Sequence, residues 1–222
     1  MKNKTLRLLV LLTLASLLLL PALTACGNAD PAPAAQTGAA AANGAAGNAS
    51  DAGDADAPAD GATESGSTLV AVFSATRTTL GVAEKIAAIE GADLYEITAA
   101  EPYSTADLNW NDSGSRSTKE QNDKNAHPAI GSDPVDLDGY TKIYVGFPIW
   151  WGEEPRILDT FVESYDFDGI TMIPFCTSAS SGIGRSGQNL AERAGSGNWL
   201  EGKRFSGGVS EADLRAWIEG LN

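Results

Sequence analysis

The chain has 222 residues, with 29 Asp and Glu against 15 Lys and Arg, so its formal net charge is −14. A surplus of acid on that scale argues against nucleic acid and against an electrostatic hold on anionic lipid, since both need clustered cations to neutralise phosphate. The acids, glycines and apolar runs are also unevenly spread, which excludes one uniform folded unit.

The first stretch reads MKNKTLRLLVLLTLASLLLLPALTAC. Lys2, Lys4 and Arg7 precede an apolar run from Leu8 to Leu20, then Pro21 and Leu23-Thr24-Ala25-Cys26. The run is short for a membrane span of about 20 residues, and its charged and apolar regions match a signal peptide. LTAC resembles the lipobox of bacterial lipoproteins, in which the cysteine becomes the lipid-bearing first residue of the mature protein. That resemblance implies a signal peptide over 1–25 and lipidation of Cys26. The chain would then be held at the extracytoplasmic face of a bacterial membrane through its lipid anchor alone, since two acyl chains suffice for stable anchoring. No twin arginine is present, so export as an unfolded chain is expected.

Residues 26–67 are read as the lipidated cysteine and a linker. From Gly27 to Ser67 there are 23 alanines and glycines in 41 residues, and the only charges are acidic. Nothing there can bury, so disorder is expected, with ends roughly 35 Å apart for a flexible coil. A single domain over 68–222 remains, long enough for a core. It holds 12 Lys and Arg and 23 Asp and Glu, about −11. With Cys26 lipidated, only Cys176 is left. It is expected to be a small core residue that can form no internal disulfide. One histidine and one cysteine make no zinc ligand set.

Along the domain, Thr68–Phe73 (TLVAVF) reads as a strand buried on both faces. A helix follows with Val82, Ile86 and Ile89 on one face, stopping at Gly91. Asp93–Ile97 and Lys142–Phe147 are the second and third strands. Pro155 is expected at a first helical position, leading an apolar stripe of Ile157, Leu158, Phe161, Val162 and Tyr165. Thr171–Phe175 is the fourth strand. A short helix is expected over Gln188–Ala194 and a fifth strand over Lys203–Phe205. A helix over Ser210–Leu221 is capped by Ser210 with Asp213. Residues 98–138 are too polar for a simple crossover helix and should wrap the sheet with short helices. There Trp110 is either core or a site wall, and His127 is expected to be exposed rather than catalytic. Strand and helix alternation predicts a three-layer α/β sandwich with a parallel sheet, whose ligands bind beyond the carboxyl ends of the strands.

Three loops leave those ends. Ser74-Ala75-Thr76-Arg77-Thr78-Thr79 places four hydroxyls at the start of a helix, a pattern that suits a phosphate. It is not a Walker loop. Pro148-Ile149-Trp150-Trp151-Gly152 puts two indoles where a strand surfaces. One is expected to cap the core, and the other to offer its face to a planar ring. Cys176–Gly187 is small and polar, with backbone groups free to read ring edges. Its Gly182-x-Gly184-x-x-Gly187 matches the dinucleotide fingerprint only by letter, because it starts too far past the strand.

Taken together, the hydroxyl-rich loop, GFPIWWG and PFCTSASSGIG resemble flavodoxin, and in particular the short flavodoxin-like domains of bacterial reductases and lipoproteins. The resemblance implies a five-stranded parallel sheet in order 2-1-3-4-5 and FMN as cofactor. By position, Ser74, Thr76, Thr78 and Thr79 would hold the phosphate. Pro148, Ile149, Trp150, Trp151 and Gly152 would flank the isoalloxazine, with Thr177, Ser178, Ala179, Ser180, Ser181, Gly182 and Gly184 along its other side. Gly152 would turn its carbonyl toward the ring. Arg77 stands where flavodoxins commonly have glycine, so it either strains a positive-φ position or adds a charged contact to the phosphate. Glu153 and Glu154 are expected to raise the energy of a reduced, anionic ring. Electron transfer, or hydride transfer from NAD(P)H to a quinone or flavin, fits this set; the donor and acceptor are open. The alternative is a flavodoxin-like module without redox use that binds another ligand or a protein at the cell surface.

Overall fold

The structure, a computed structural model, describes residues 67–221. The expected signal peptide, Cys26 and all of the linker but its last residue lie outside the described residues. Eleven elements follow in order: β1 Ser67–Phe73, α1 Thr78–Glu90, β2 Asp93–Ile97, α2 Arg116–Asn122, β3 Tyr140–Pro148, α3 Arg156–Glu163, β4 Thr171–Thr177, α4 Ser186–Ala194, β5 Asn198–Trp199, β6 Lys203–Phe205 and α5 Glu211–Glu219. Every pairing within the sheet is parallel, in order β2-β1-β3-β4-β5, with β6 also against β4.

Alternation along the strands fills two cores, because successive side chains leave opposite faces. Leu69, Ala71 and Phe73 of β1 join Val145 and Phe147 of β3 under Ile157 and Phe161 of α3. Val70 and Val72 face the other way, with Tyr144 and Ile173, against Val82 and Ile86 of α1 and Leu214 and Trp217 of α5. Close packing is strict at Gly146, where an added Cβ would lie 2.3 Å from the Phe175 ring. Cys176 is fully buried, and burial pushes its thiol up to about 12. That leaves it protonated and inert at neutral pH.

Local chemistry sets most boundaries. Gly91 ends α1 in the left-handed region at φ 63°, its N–H bonding Ala87 O. Ser210 caps α5 by accepting from Asp213 N, and its hydroxyl donates to the Asp213 carboxylate. Two expectations need correction. Pro155 is the N-cap of α3, with extended ψ 140°, not its first helical residue. The fifth sheet position is split: β5 pairs with Thr171–Met172 and β6 with Phe175–Thr177. The chain between them leaves the sheet at Gly202, where a Cβ would sit 2.4 Å from Ile183 Cδ1. A two-residue strand such as β5 has no alternation to recognise. Between β2 and β3, the one described helix is α2, and turns carry the rest.

Candidate functional site

The three loops converge at the carboxyl edge of the sheet. Thr79 Oγ1 and Thr177 Oγ1, from the first and third loops, are 2.8 Å apart and buried. Ile149 N donates to Thr177 O at 3.0 Å. A Cβ on Gly184 would come within 3.4 Å of Gly152 O. Beside this junction lies an open cleft of about 370 Å³.

In the first loop the four hydroxyls divide. Ser74 Oγ accepts from Thr79 N at 3.1 Å, and Thr79 is bound to Thr177. Both residues are buried and their hydroxyls are engaged in shaping the loop. Thr76 and Thr78 are exposed, with hydroxyls 3.4 Å apart, so they are the pair available to an outside anion at the positive end of α1. Arg77 sits at φ 62°. Its guanidinium lies 3.8 Å from Glu84 and 4.0 Å from Glu96. Those two carboxylates partner it in the structure, and its left-handed backbone carries a strain on the order of 1 kcal/mol.

The second loop separates its two indoles. Trp150 is half-buried, edge-on to Phe73 and Tyr103 with centroids 5.5 and 5.2 Å away. Trp151 is 45 % exposed. The cause is a two-residue turn: Trp150 N donates to Glu153 O at 2.9 Å and Glu153 N to Trp150 O at 3.0 Å. Trp151 and Gly152 between them have φ 49° and 85°. Positive φ at both central positions is the type I′ pattern, which favours Asn-Gly. A tryptophan at the first of them costs on the order of 1–2 kcal/mol. Strain of that kind in a bulky residue marks a position the fold over-determines.

Below the turn lies a buried charge network. Glu154, Arg156 and Asp159 are 0, 3 and 0 % exposed. Arg156 reaches Glu153 at 2.7 Å, Asp159 at 3.4 Å and Glu154 at 3.6 Å. Arg193 of α4 adds Asp159 at 3.3 Å and Glu163 at 2.7 Å, and Glu163 in turn meets His127. Burial raises Glu154, and pushes Asp159 up to about 6. Arg156 thus sits against both Glu153 and Glu154, the two acids expected to raise the energy of a reduced ring, and offsets part of their charge. His127 is exposed, as expected, and hydrogen-bonded to Asn125 O and Glu163.

Around the cleft, Ala75 and Thr76 come from the first loop and Pro148, Ile149, Trp150 and Trp151 from the second. The remaining wall is Leu108, Trp110 and Ser117, from the segment that sequence reasoning left open. Trp110 is 73 % exposed, so it is a wall and not core. Ser178 to Gly184, expected along the other side of the ring, are not among the residues that line the cleft. Their backbone is less free than expected: Arg204 Nη2 of β6 donates to Ser178 O and Ala179 O, each at 2.6 Å. Ser178 Oγ donates back to Ser181 O. Ser180, Ser181 and Gly182 are exposed, while Thr177 is buried. Arg204 carried no local signal, since one arginine in a three-residue strand has many possible partners. Among the described residues no group of His, Cys, Asp and Glu could hold a metal ion.

The family model for flavodoxin matches residues 67–221. The chain belongs to the flavodoxin family. No curated protein matches it. Among solved structures, a flavoprotein of Bacteroides uniformis is 44 % identical, with TM-score 0.67, covering 69 % of this chain and 98 % of its own. One of Bacteroides eggerthii is 43 % identical, with TM-score 0.66, covering 70 % and 98 %. A Lactobacillus acidophilus flavoprotein solved in complex with FMN is 21 % identical, with TM-score 0.54, covering 69 % and 99 %. That last likeness concerns the fold alone. In this flavodoxin the sheet order and flanking helices are those expected from the sequence.

Proposed function

We propose that this flavodoxin-like chain binds FMN and works in electron transfer or as an NAD(P)H-dependent quinone or flavin reductase, tethered outside the cytoplasmic membrane. The observation that carries the flavin reading is the cleft itself. At its mouth a strained turn leaves the Trp151 indole in water, and along its edge lie the Thr76 and Thr78 hydroxyls at the start of α1. A planar aromatic ligand with a phosphate satisfies both ends, and the FMN complex of the Lactobacillus relative supports that choice.

In this assignment Thr76 and Thr78, at the positive end of α1, bind the phosphate, with Ser74, Thr79 and Thr177 holding the loop in shape. Trp151 and Trp110 cover the ring and exclude water, and Trp150 closes the floor against Phe73. Gly152, at φ 85°, leaves its peptide free of a side chain beside the ring, where an added Cβ would meet open space. The bound flavin would supply the redox chemistry, and the protein its position and electrostatic setting. The buried thiol of Cys176 takes no part. The charged start, LTAC and the acidic linker support a lipid tether at Cys26. Among the described residues no helix is long and apolar enough to cross a membrane.

Titration of FMN with the full chain tests the reading. Flavin fluorescence should be quenched by the indoles and yellow colour should survive desalting. A colourless protein after micromolar FMN would leave the non-redox alternative standing. Oxidation of NADH or NADPH by the yellow protein, with a quinone present, then separates a reductase from a carrier.

A further inference from the structure

Gln121 of α2 is 8 % exposed. Its Nε2 donates to Trp150 O at 3.1 Å and to Glu154 O at 3.2 Å. One side-chain amide thus uses both hydrogens on the carbonyls that bracket Trp151 and Gly152. The Gln121 backbone carbonyl accepts from Arg156 Nη2 at 3.3 Å, so the link runs in both directions.

The turn has reason to need such a brace. Its backbone places Trp151 at φ 49°, which an unbraced tryptophan avoids. Its own closure is two hydrogen bonds, and a lone two-residue hairpin is marginal in water. Meanwhile α2 is anchored elsewhere: Glu120 accepts from Tyr103 Oη at 2.5 Å and pairs with Arg116 at 2.7 Å, and Ser117 Oγ donates to Asp107 O at 2.5 Å. Gln121 therefore acts from a fixed base.

Resting on the flavin reading above, we propose that Gln121 is a positioning residue of the ring site. By holding both ends of the turn, it keeps Trp151 in the left-handed backbone that presents the indole to the cleft. The segment between β2 and β3 then contributes twice, as a wall through Trp110 and as the brace that sets Trp151 in the same lining.

The test compares FMN affinity, by quenching of flavin fluorescence, and the flavin midpoint potential in the full chain. Gln121→Met keeps length and helix preference but removes both donors. Gln121→Glu keeps shape and, ionised, has none. Each should weaken FMN about tenfold or more and shift the potential. Adding Trp151→Gly to Gln121→Met should weaken binding less than Trp151→Gly does alone in the native background. Ile218→Val, in α5 on the other face of the sheet, is the control: it lowers the melting temperature, yet changes FMN affinity by no more than about twofold. Native affinity and potential in Gln121→Met overturn the proposal. So does an Ile218→Val variant that loses as much affinity as the Gln121 variants. If the native chain itself leaves FMN unbound, the flavin reading falls first, and the brace with it.

Discussion

Two environments meet at the turn between Trp150 and Glu154. In one, Glu154, Arg156 and Asp159 have been withdrawn from water. In the other, Trp151 and Trp110 have been left in it. Each inverts the ordinary preference of its residues, but the compensation differs. The buried charges are answered within the chain, by Arg156 and Arg193 and by Asn189, whose Nδ2 reaches Glu154 Oε1 at 3.2 Å. Among the described residues the exposed indoles find no such answer. Charges paired within the fold are architecture; a cleft lined by exposed indoles is where the proposed ligand would sit.

The largest expected effect comes from breaking the closed side. Arg156→Met leaves Glu153, Glu154 and Asp159 facing one another without their shared cation. Removing one partner of a buried ionic group costs about 3–5 kcal/mol, so urea denaturation should show most of the domain's stability lost. Retained stability would mean that the network is not what seats the turn. The open side should behave oppositely. Trp151→Gly suits φ 49°, so the urea midpoint should hold or rise. FMN binding should nevertheless weaken about tenfold or more, roughly 1.4 kcal/mol.

A smaller gain should follow from Arg77→Gly. Glycine removes the left-handed strain at φ 62°, for about 1 kcal/mol of added stability. The two ion pairs it removes are long and exposed, and such pairs contribute little. A melting temperature that falls would show that Glu84 and Glu96 matter more than the backbone.

The gentlest probe is pH. Asp159 is raised to about 6 by burial, so the folded domain binds this proton more tightly than the unfolded chain does. Stability from this group therefore rises as pH falls from 7 through 6 toward its ordinary 3.8. His127 is raised by its bond to Asn125 O and then by Glu163. Its contribution is fully present below 6.5 and fades as pH rises through its folded value. Glu163 is lowered by Arg193 and His127 against the opposing pull of burial, and its contribution is lost as pH falls below 4.5. Thermal melts across pH should thus show a maximum on the acid side of neutral, and Asp159→Asn should flatten the rise between pH 7 and 6.

Strand identity and sheet order were legible because each strand carries its own pattern. Leu69, Ala71 and Phe73 alternate with Val70 and Val72, and both sets are apolar, which is what a strand covered on both faces requires. Helix ends were legible where one residue decides them, as at Gly91 and Ser210. The hydroxyl loop and the indole pair stood out as a candidate site for the same reason: four hydroxyls, or two adjacent tryptophans, exceed what local folding needs.

What composition and period could not reach is anything decided by a partner far along the chain. Which indole goes inward depends on Phe73 and Tyr103 and on the sign of φ at Trp151. Which hydroxyls stay free depends on Thr177, distant in sequence from Thr79. That Glu153 and Glu154 are offset, that Arg204 fastens the third loop, and that Trp110 and Gln121 return to the turn are all long-range choices. The sequence by itself determined which groups this protein has to place. Only the tertiary structure decided which satisfy one another and which are left over, because burial and hydrogen-bond pairing depend on neighbours that folding alone brings together.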